Sequence, residues 1–189
     1  STFAFKKIGE EQQYDYTRTA NPTRDALAEA VSVLEGGYGA TVTSSGMAAI
    51  TLITALLNPN DYVLIPHDCY GGTFRLFSRL AERGLLQVKF VDQSDLSLLQ
   101  QTINQYKPKI VLVETPSNPL LRVVDIQAIS KIINQSNTLL IVDNTFLTPI
   151  FQTPIKLGAD LVIHSTTKYI NGHSDVVGGI VVAKTETLH

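Results

Sequence analysis

A chain of 189 residues with 44% hydrophobic content can bury one sizeable core, which excludes disorder by composition and leaves room for one or at most two domains. Fifteen basic against seventeen acidic residues give a net charge of -2 with no basic run, arguing against nucleic acid or an anionic membrane surface and for small-molecule partners. The single cysteine, Cys69, cannot close an internal disulfide, no apolar run approaches the roughly 18 residues of a membrane span, and no signal peptide precedes the first motif, in accord with a cytoplasmic location.

The first 23 residues carry no clear periodicity and are expected to form an arm, residues 1–23, that reaches for a partner. Residues 24–35, "RDALAEAVSVLE", place Leu27, Ala30, Val31 and Leu34 at helical spacing before Gly36 and Gly37 stop the pattern. From there strands are expected near 40–43, 62–66, 86–91, 109–114, 138–142, 160–164 and 178–183. Helices are expected around 46–57, 72–83, 95–106 and 125–135. Strand and helix in turn imply a mostly parallel, seven-stranded α/β sheet. The runs "KIVLVE" and "TLLIVD" are almost continuously apolar, as strands are when helices cover both sheet faces. The only methionine, Met47, lies well inside the chain, so Ser1 is read as an internal position of something longer.

In an open parallel sheet, ligands bind beyond the carboxyl ends of the strands. The segments expected there are rich in polar residues: "TSSGMAA", "PHDCYGGT", "ETPSNP", "DNTF" and "HSTTK". Ser44, Ser45 and Gly46 lead into a helix whose free N–H groups suit a phosphate. Small polar residues after strands are usually turns and caps, but five such loops together imply a shared rim.

Residues 164–179, "HSTTKYINGHSDVVGG", set Lys168 behind the hydroxyls of Ser165, Thr166 and Thr167, a cluster open to three chemistries: a phosphate cradle, a metal site or an amine nucleophile. "GGYGATV" offers only part of a dinucleotide fingerprint and stands between helix and strand, the reverse of the required order. His67, His164, His173 and His189 show no ligand spacing, so no metal is expected. His67, Asp68 and Cys69 are no thiol triad, because neighbouring side chains in extended backbone point to opposite faces; Cys69 reads as a packed small residue. Lys168, a phosphate cradle and an acid one strand earlier, Asp143, suit pyridoxal phosphate, which takes an amine at its aldehyde, N–H and O–H donors at its phosphate and an anion at its ring nitrogen.

At this point the sequence resembles a known family, the pyridoxal-phosphate enzymes of cysteine and methionine metabolism. Six segments in order carry the resemblance: "YDYTRTANPTR", "SSGMAA", "HDCYGGTFRLF", "ETPSNPLLRVVDI", "VDNTF" and "HSTTKYINGHSDVVGG". It implies the fold-type-I large domain over residues 24–189, and pyridoxal 5'-phosphate as cofactor. Carried over by position, it implies that Lys168 bonds the cofactor's aldehyde carbon and Asp143 pairs with the ring nitrogen. Backbone N–H groups of Gly46 and Met47 and the hydroxyls of Ser165 and Thr167 would hold the phosphate. Tyr70 would stack on the ring and assist proton transfer, while Asn118 would lie near the ring hydroxyl. Tyr16 and Arg18, on the arm, would hold the phosphate of a neighbouring subunit. His173, Ser174 and Asp175 also match, and are read as loop structure.

"HDCYGGTFRLF" and "SNPLLRVVDI" are most similar to the branch that forms cystathionine. The resemblance therefore implies a γ-replacement of methionine biosynthesis, in which an O-acyl-homoserine and cysteine give cystathionine. Cleavage of cystathionine at its γ or β bond and sulfhydrylation of homoserine esters are the neighbouring activities. Amino acids are the implied substrates, and the implied assembly is a homo-oligomer, a dimer with shared sites paired into a tetramer. In the family a small C-terminal domain, absent here, grips the substrate carboxylate with an arginine. A cofactor-binding or assembly module, inactive alone, is thus the reading that is not an enzyme.

Overall fold

The computed structural model describes residues 1–134 and 136–189. Seven strands form one sheet in the order β1-β7-β6-β5-β4-β2-β3, where β1 is Gly39–Thr43, β2 Tyr62–Pro66, β3 Gln87–Val91, β4 Ile110–Glu114, β5 Leu139–Asp143, β6 Leu161–His164 and β7 Gly179–Ala183. β7 runs antiparallel to both its neighbours, β1 and β6, and the remaining pairings are parallel. The expectation of a mostly parallel α/β sheet is met.

The strands alternate between two cores. Val63, Ile65, Ile110, Leu112, Ile141 and Ile163 face one layer, while Leu64, Val111, Val113, Leu140, Val142 and Val162 face the other. With both faces covered, a strand has no solvent side, and this is why β4 reads as an unbroken apolar run. α2 (Gly46–Ile53) and α3 (Gly71–Glu82) bury Ile50, Ile53 and Phe77 on the first face. α1 (Pro22–Glu35), α4 (Leu96–Tyr106) and α5 (Ile126–Ile133) bury Val31, Leu99, Ile103, Ile129 and Ile133 on the second.

Helix starts are set by side-chain caps. Asn21 accepts from the N–H groups of Thr23 and Arg24, and Pro22 presets the first helical φ, so α1 begins two residues before the expected 24. Asp95 and Asp125 cap α4 and α5 by accepting from Leu98 and Ala128, both at 2.9 Å. The helix expected over 46–57 is α-helical to Ile53 and then tightens into a 3₁₀ turn, Thr54–Leu56. Gln135, at the end of the helix expected over 125–135, lies outside the described residues. The sequence pattern also passes over α6 (Thr148–Phe151) and the 3₁₀ turns Pro154–Leu157 and Glu186–Leu188, which are too short to show a period.

Ahead of α1 the chain doubles back on itself. Thr2 bridges Tyr16, and Arg24 donates to the Thr17 and Thr19 carbonyls at 3.0 and 3.2 Å, tethering this segment to the first turn of α1. No described helix is long and apolar enough to cross a membrane.

Candidate active site

A cavity of about 250 Å³ opens at the carboxyl ends of the parallel strands. Ser45, Gly46 and Met47 reach it from the loop after β1, Tyr70 from after β2, Asn118 from after β4, and Thr145 from after β5. Ser165, Thr167 and Lys168 arrive from after β6, while Glu114 and Asp143 are the last residues of β4 and β5. Five polar segments far apart in sequence thus share one wall because five strands end at one rim. β7 runs the other way, so its start lies there too.

One end of the cavity is the start of α2. The first N–H groups of any helix lack partners within it. Here Ser45 Oγ accepts that of Ala48 at 3.0 Å and the Ser45 carbonyl that of Ala49, leaving those of Gly46 and Met47 at the cavity. The approach of α2 to the β6 loop requires a glycine: a Cβ on Gly46 would stand 2.6 Å from Ser165 Cβ. Thr167 Oγ donates to the Gly178 carbonyl at 3.2 Å and accepts its N–H at 3.0 Å, which pins the Lys168 loop to the start of β7.

The opposite end holds a half-buried acid. Asp143 Oδ1 accepts from the Thr145 hydroxyl at 2.5 Å and from its N–H at 3.0 Å, and that hydroxyl accepts the Ser165 N–H at 2.8 Å. Burial holds the Asp143 carboxyl above the usual carboxylate range, against the Thr145 hydrogen bonds and the nearby His164, which favour its charge. Among the described residues Oδ2 accepts no hydrogen bond, so a cationic N–H donor in the cavity would meet an open carboxyl oxygen.

Glu114 stands beside it, one strand over and in register. Its Oε2 accepts from the Tyr70 N–H at 2.9 Å and its Oε1 from the Asn118 N–H at 2.7 Å. Burial, then the charges of Asp143 and Asp68, push this carboxyl up to about 7, opposed by those two backbone donors.

The structure does not bring every candidate residue to this cavity. Tyr16 and Arg18 lie away from it in the segment before α1, where the Arg18 guanidinium stacks over the Tyr16 ring at 5.2 Å and, among the described residues, has no carboxylate partner. His173 is exposed and held by the Asn171 carbonyl, and Asn171 in turn donates to Asp175. Cys69 is buried and its thiol is pushed up to about 12 by desolvation and the charges of Glu114 and Asp68, which leaves it a packed, unreactive residue. Among the described residues no three His, Cys, Asp or Glu side chains form a metal-binding group.

Sequence reasoning passed over Thr145, Glu114 and a pair behind the site. Glu35, at the end of α1, lies 2.7 Å from His164 Nε2 and accepts from Asn144 at 2.8 Å, with both Glu35 and His164 fully buried. Glu35 follows Val31 by four residues on the apolar stripe of α1, the one sequence signal that could have placed an acid in the core.

An exposed lysine amine, an unshielded carboxylate and a helix start with two free N–H groups are the donor set that the aldehyde, ring nitrogen and phosphate of pyridoxal phosphate require. The residues present fit that group. By superposition, the cystathionine gamma synthase of Xanthomonas oryzae pv. oryzae in complex with cystathionine matches at TM-score 0.95 and 52% identity, over 100% of this chain and 49% of that one. The fold is that of the fold-type-I pyridoxal-phosphate enzymes. The family model described as Cys/Met metabolism PLP-dependent enzyme matches residues 1–189, and the chain belongs to that family. Among curated relatives, the cystathionine gamma-synthase of Escherichia coli K12 is 54% identical over 97% of this chain and 48% of its own length. The cystathionine gamma-lyase of Bacillus subtilis is 46% identical over 100% of this chain and 49% of its own. The chain spans about half the length of the curated relatives it matches.

Proposed function

We propose that this chain is the cofactor-binding half of an enzyme that joins an O-acyl-homoserine to cysteine, releasing a carboxylate and giving cystathionine. The observation that carries the reading is the meeting of Lys168, Asp143 and the start of α2 on one cavity. Higher identity to a cystathionine gamma-synthase than to a gamma-lyase, 54% against 46%, favours joining over cleavage.

In this reading Lys168 Nζ would hold the cofactor's aldehyde carbon, and Asp143 would pair with the ring nitrogen. The N–H groups of Gly46 and Met47, with the hydroxyls of Ser165 and Thr167, take the phosphate. Tyr70 would cover one ring face and Asn118 would stand at the ring hydroxyl. Bound there, pyridoxal phosphate supplies an electron sink for negative charge at the substrate's Cα and Cβ. Lys168 Nζ would carry the protons taken from Cα and then Cβ, with Tyr70 at hand to assist. Asp143 favours a protonated ring nitrogen by its charge, and Thr145 orients that charge.

Tyr16 and Arg18 complete the phosphate site of a second copy, so the working form is a homodimer with shared sites, paired further into a tetramer. Supporting this are the free Arg18 guanidinium and the exposed apolar residues Leu120, Leu121, Val123, Ile150 and Phe151. The deciding assay incubates the protein with cysteine and each O-acyl-homoserine in turn, and separately with cystathionine alone. Cystathionine formation is expected; cleavage of cystathionine without synthesis would make it a lyase.

A further inference from the structure

β2 and β4 separate as they approach the cavity. β4 pairs with β5 from Ile110 through Glu114, whereas its ladder with β2 runs through Val63–Ile110 and Leu64–Val111 and ends there. Strand order reverses between these two, with β3 outside β2, and such switch points are where open α/β sheets form their ligand crevices. Within the gap, the buried Gln93 amide takes the Leu112 carbonyl at 2.8 Å, a bond that ladder pairing would otherwise have used.

Glu114 spans what remains of the gap. Its two oxygens reach opposite sides, to the Tyr70 N–H after β2 and the Asn118 N–H after β4. We propose that Glu114 is a positioning residue whose carboxylate latches the Tyr70 turn to the Asn118 turn, holding both side chains against the cofactor's place in the cavity. The proposal rests on the reading of this cavity as the pyridoxal-phosphate site.

Only the ionised carboxylate offers two good acceptor oxygens. Protonation turns one into a hydroxyl, and one tie weakens. The groups that face Glu114 are Asp143 on β5, Asp68, Cys69 and Tyr70 after β2, and Lys168 across the cavity. Asp68 is itself held by Arg122 at 3.6 Å and by Ser117 Oγ at 2.7 Å, a second tie between the same two turns that keeps them folded when the first opens. With its carboxyl pushed up to about 7, Glu114 sets the latch above neutral pH and releases it as pH falls through that value.

The test is hydrogen exchange at the Tyr70 and Asn118 amides in cofactor-free protein between pH 6 and 8, corrected for intrinsic rates, together with pyridoxal-phosphate titrations followed by near-visible absorbance. Protection in the wild type should rise with pH on the order of ten- to a hundredfold, the factor that one charge-assisted bond supplies. E114Q, which keeps one acceptor and cannot ionise, should show low protection that no longer follows pH, and weaker cofactor binding by a similar factor. If E114Q fails to fold, the wild-type pH series decides alone. Flat wild-type protection, wild-type protection in E114Q, or loosened turns with unchanged cofactor affinity overturns the latch. A wild type that binds no pyridoxal phosphate overturns the reading of the cavity instead, while the exchange series still decides the latch.

Discussion

Replacing Thr145 by valine removes one hydroxyl and almost no volume, yet that hydroxyl serves two partners. It donates to Asp143 Oδ1 at 2.5 Å and accepts the Ser165 N–H at 2.8 Å. A hydrogen bond to a charged acceptor contributes about 1.5–3 kcal/mol, and leaving a part-buried N–H unpaired costs about 1–3 kcal/mol. The two losses share one atom, so they combine to about 2–4 kcal/mol rather than to their sum. In a domain of this size that corresponds to a fall in melting temperature of roughly 5–15 °C. The loss should also depend on pH. Burial already raises the Asp143 carboxyl above its ordinary value of 3.8, so its ionisation opposes folding, a cost absent below that value and complete once pH exceeds the folded pKa. Without Thr145 the folded pKa rises further, so the deficit of Thr145→Val should be larger at an alkaline than at an acidic pH, shrinking toward the Ser165 contribution as the carboxyl protonates. Thermal melts of cofactor-free protein at both pH values measure this. A deficit that is the same at both would mean that the hydroxyl does not support the charge on Asp143.

Lys168→Ala should abolish the near-visible absorbance of lysine-linked cofactor while circular dichroism stays that of the wild type; a borohydride-reducible linkage persisting in the variant would sink the assignment. The Cys69 thiol, at about 12, should resist iodoacetamide at pH 8 in folded protein and react only on unfolding, as mass spectrometry of the quenched protein can establish. Arg18→Ala and Lys168→Ala should each be nearly inactive, and co-expression should restore activity in hybrid dimers that combine one good lysine with one good arm. A hybrid no better than the two variants summed would return Arg18 to an ordinary surface charge.

Periodicity and run length reported the long elements well because their cause is local. A strand covered on both sides must be apolar throughout, as β4 is, and a helix covered on one side must carry a stripe, as α5 does with Ile126, Ile129 and Ile133. The cavity wall was legible because strand ends are predictable and the topology collects them. Thr145 was not, since a hydroxyl's partners depend on the register of β5 against β6, and "DNTF" carries no trace of Ser165. Glu114 hid for a related reason: its two partners belong to turns 44 and 4 residues away, joined only by the parting of β2 from β4.

The buried meeting of Glu35, His164 and Asn144 bears on how α1 lies across the sheet. Apolar ridges alone let a helix slide, since one methyl replaces another at little cost. A carboxylate sealed from water has no such freedom: a slip of one turn, about 5.4 Å, would strand Glu35 among aliphatic side chains with no donor in reach. The trio therefore behaves as a dowel through helix and sheet. Because Arg24, in the first turn of that same helix, grips the Thr17 and Thr19 carbonyls, the dowel also anchors the backbone on either side of Arg18.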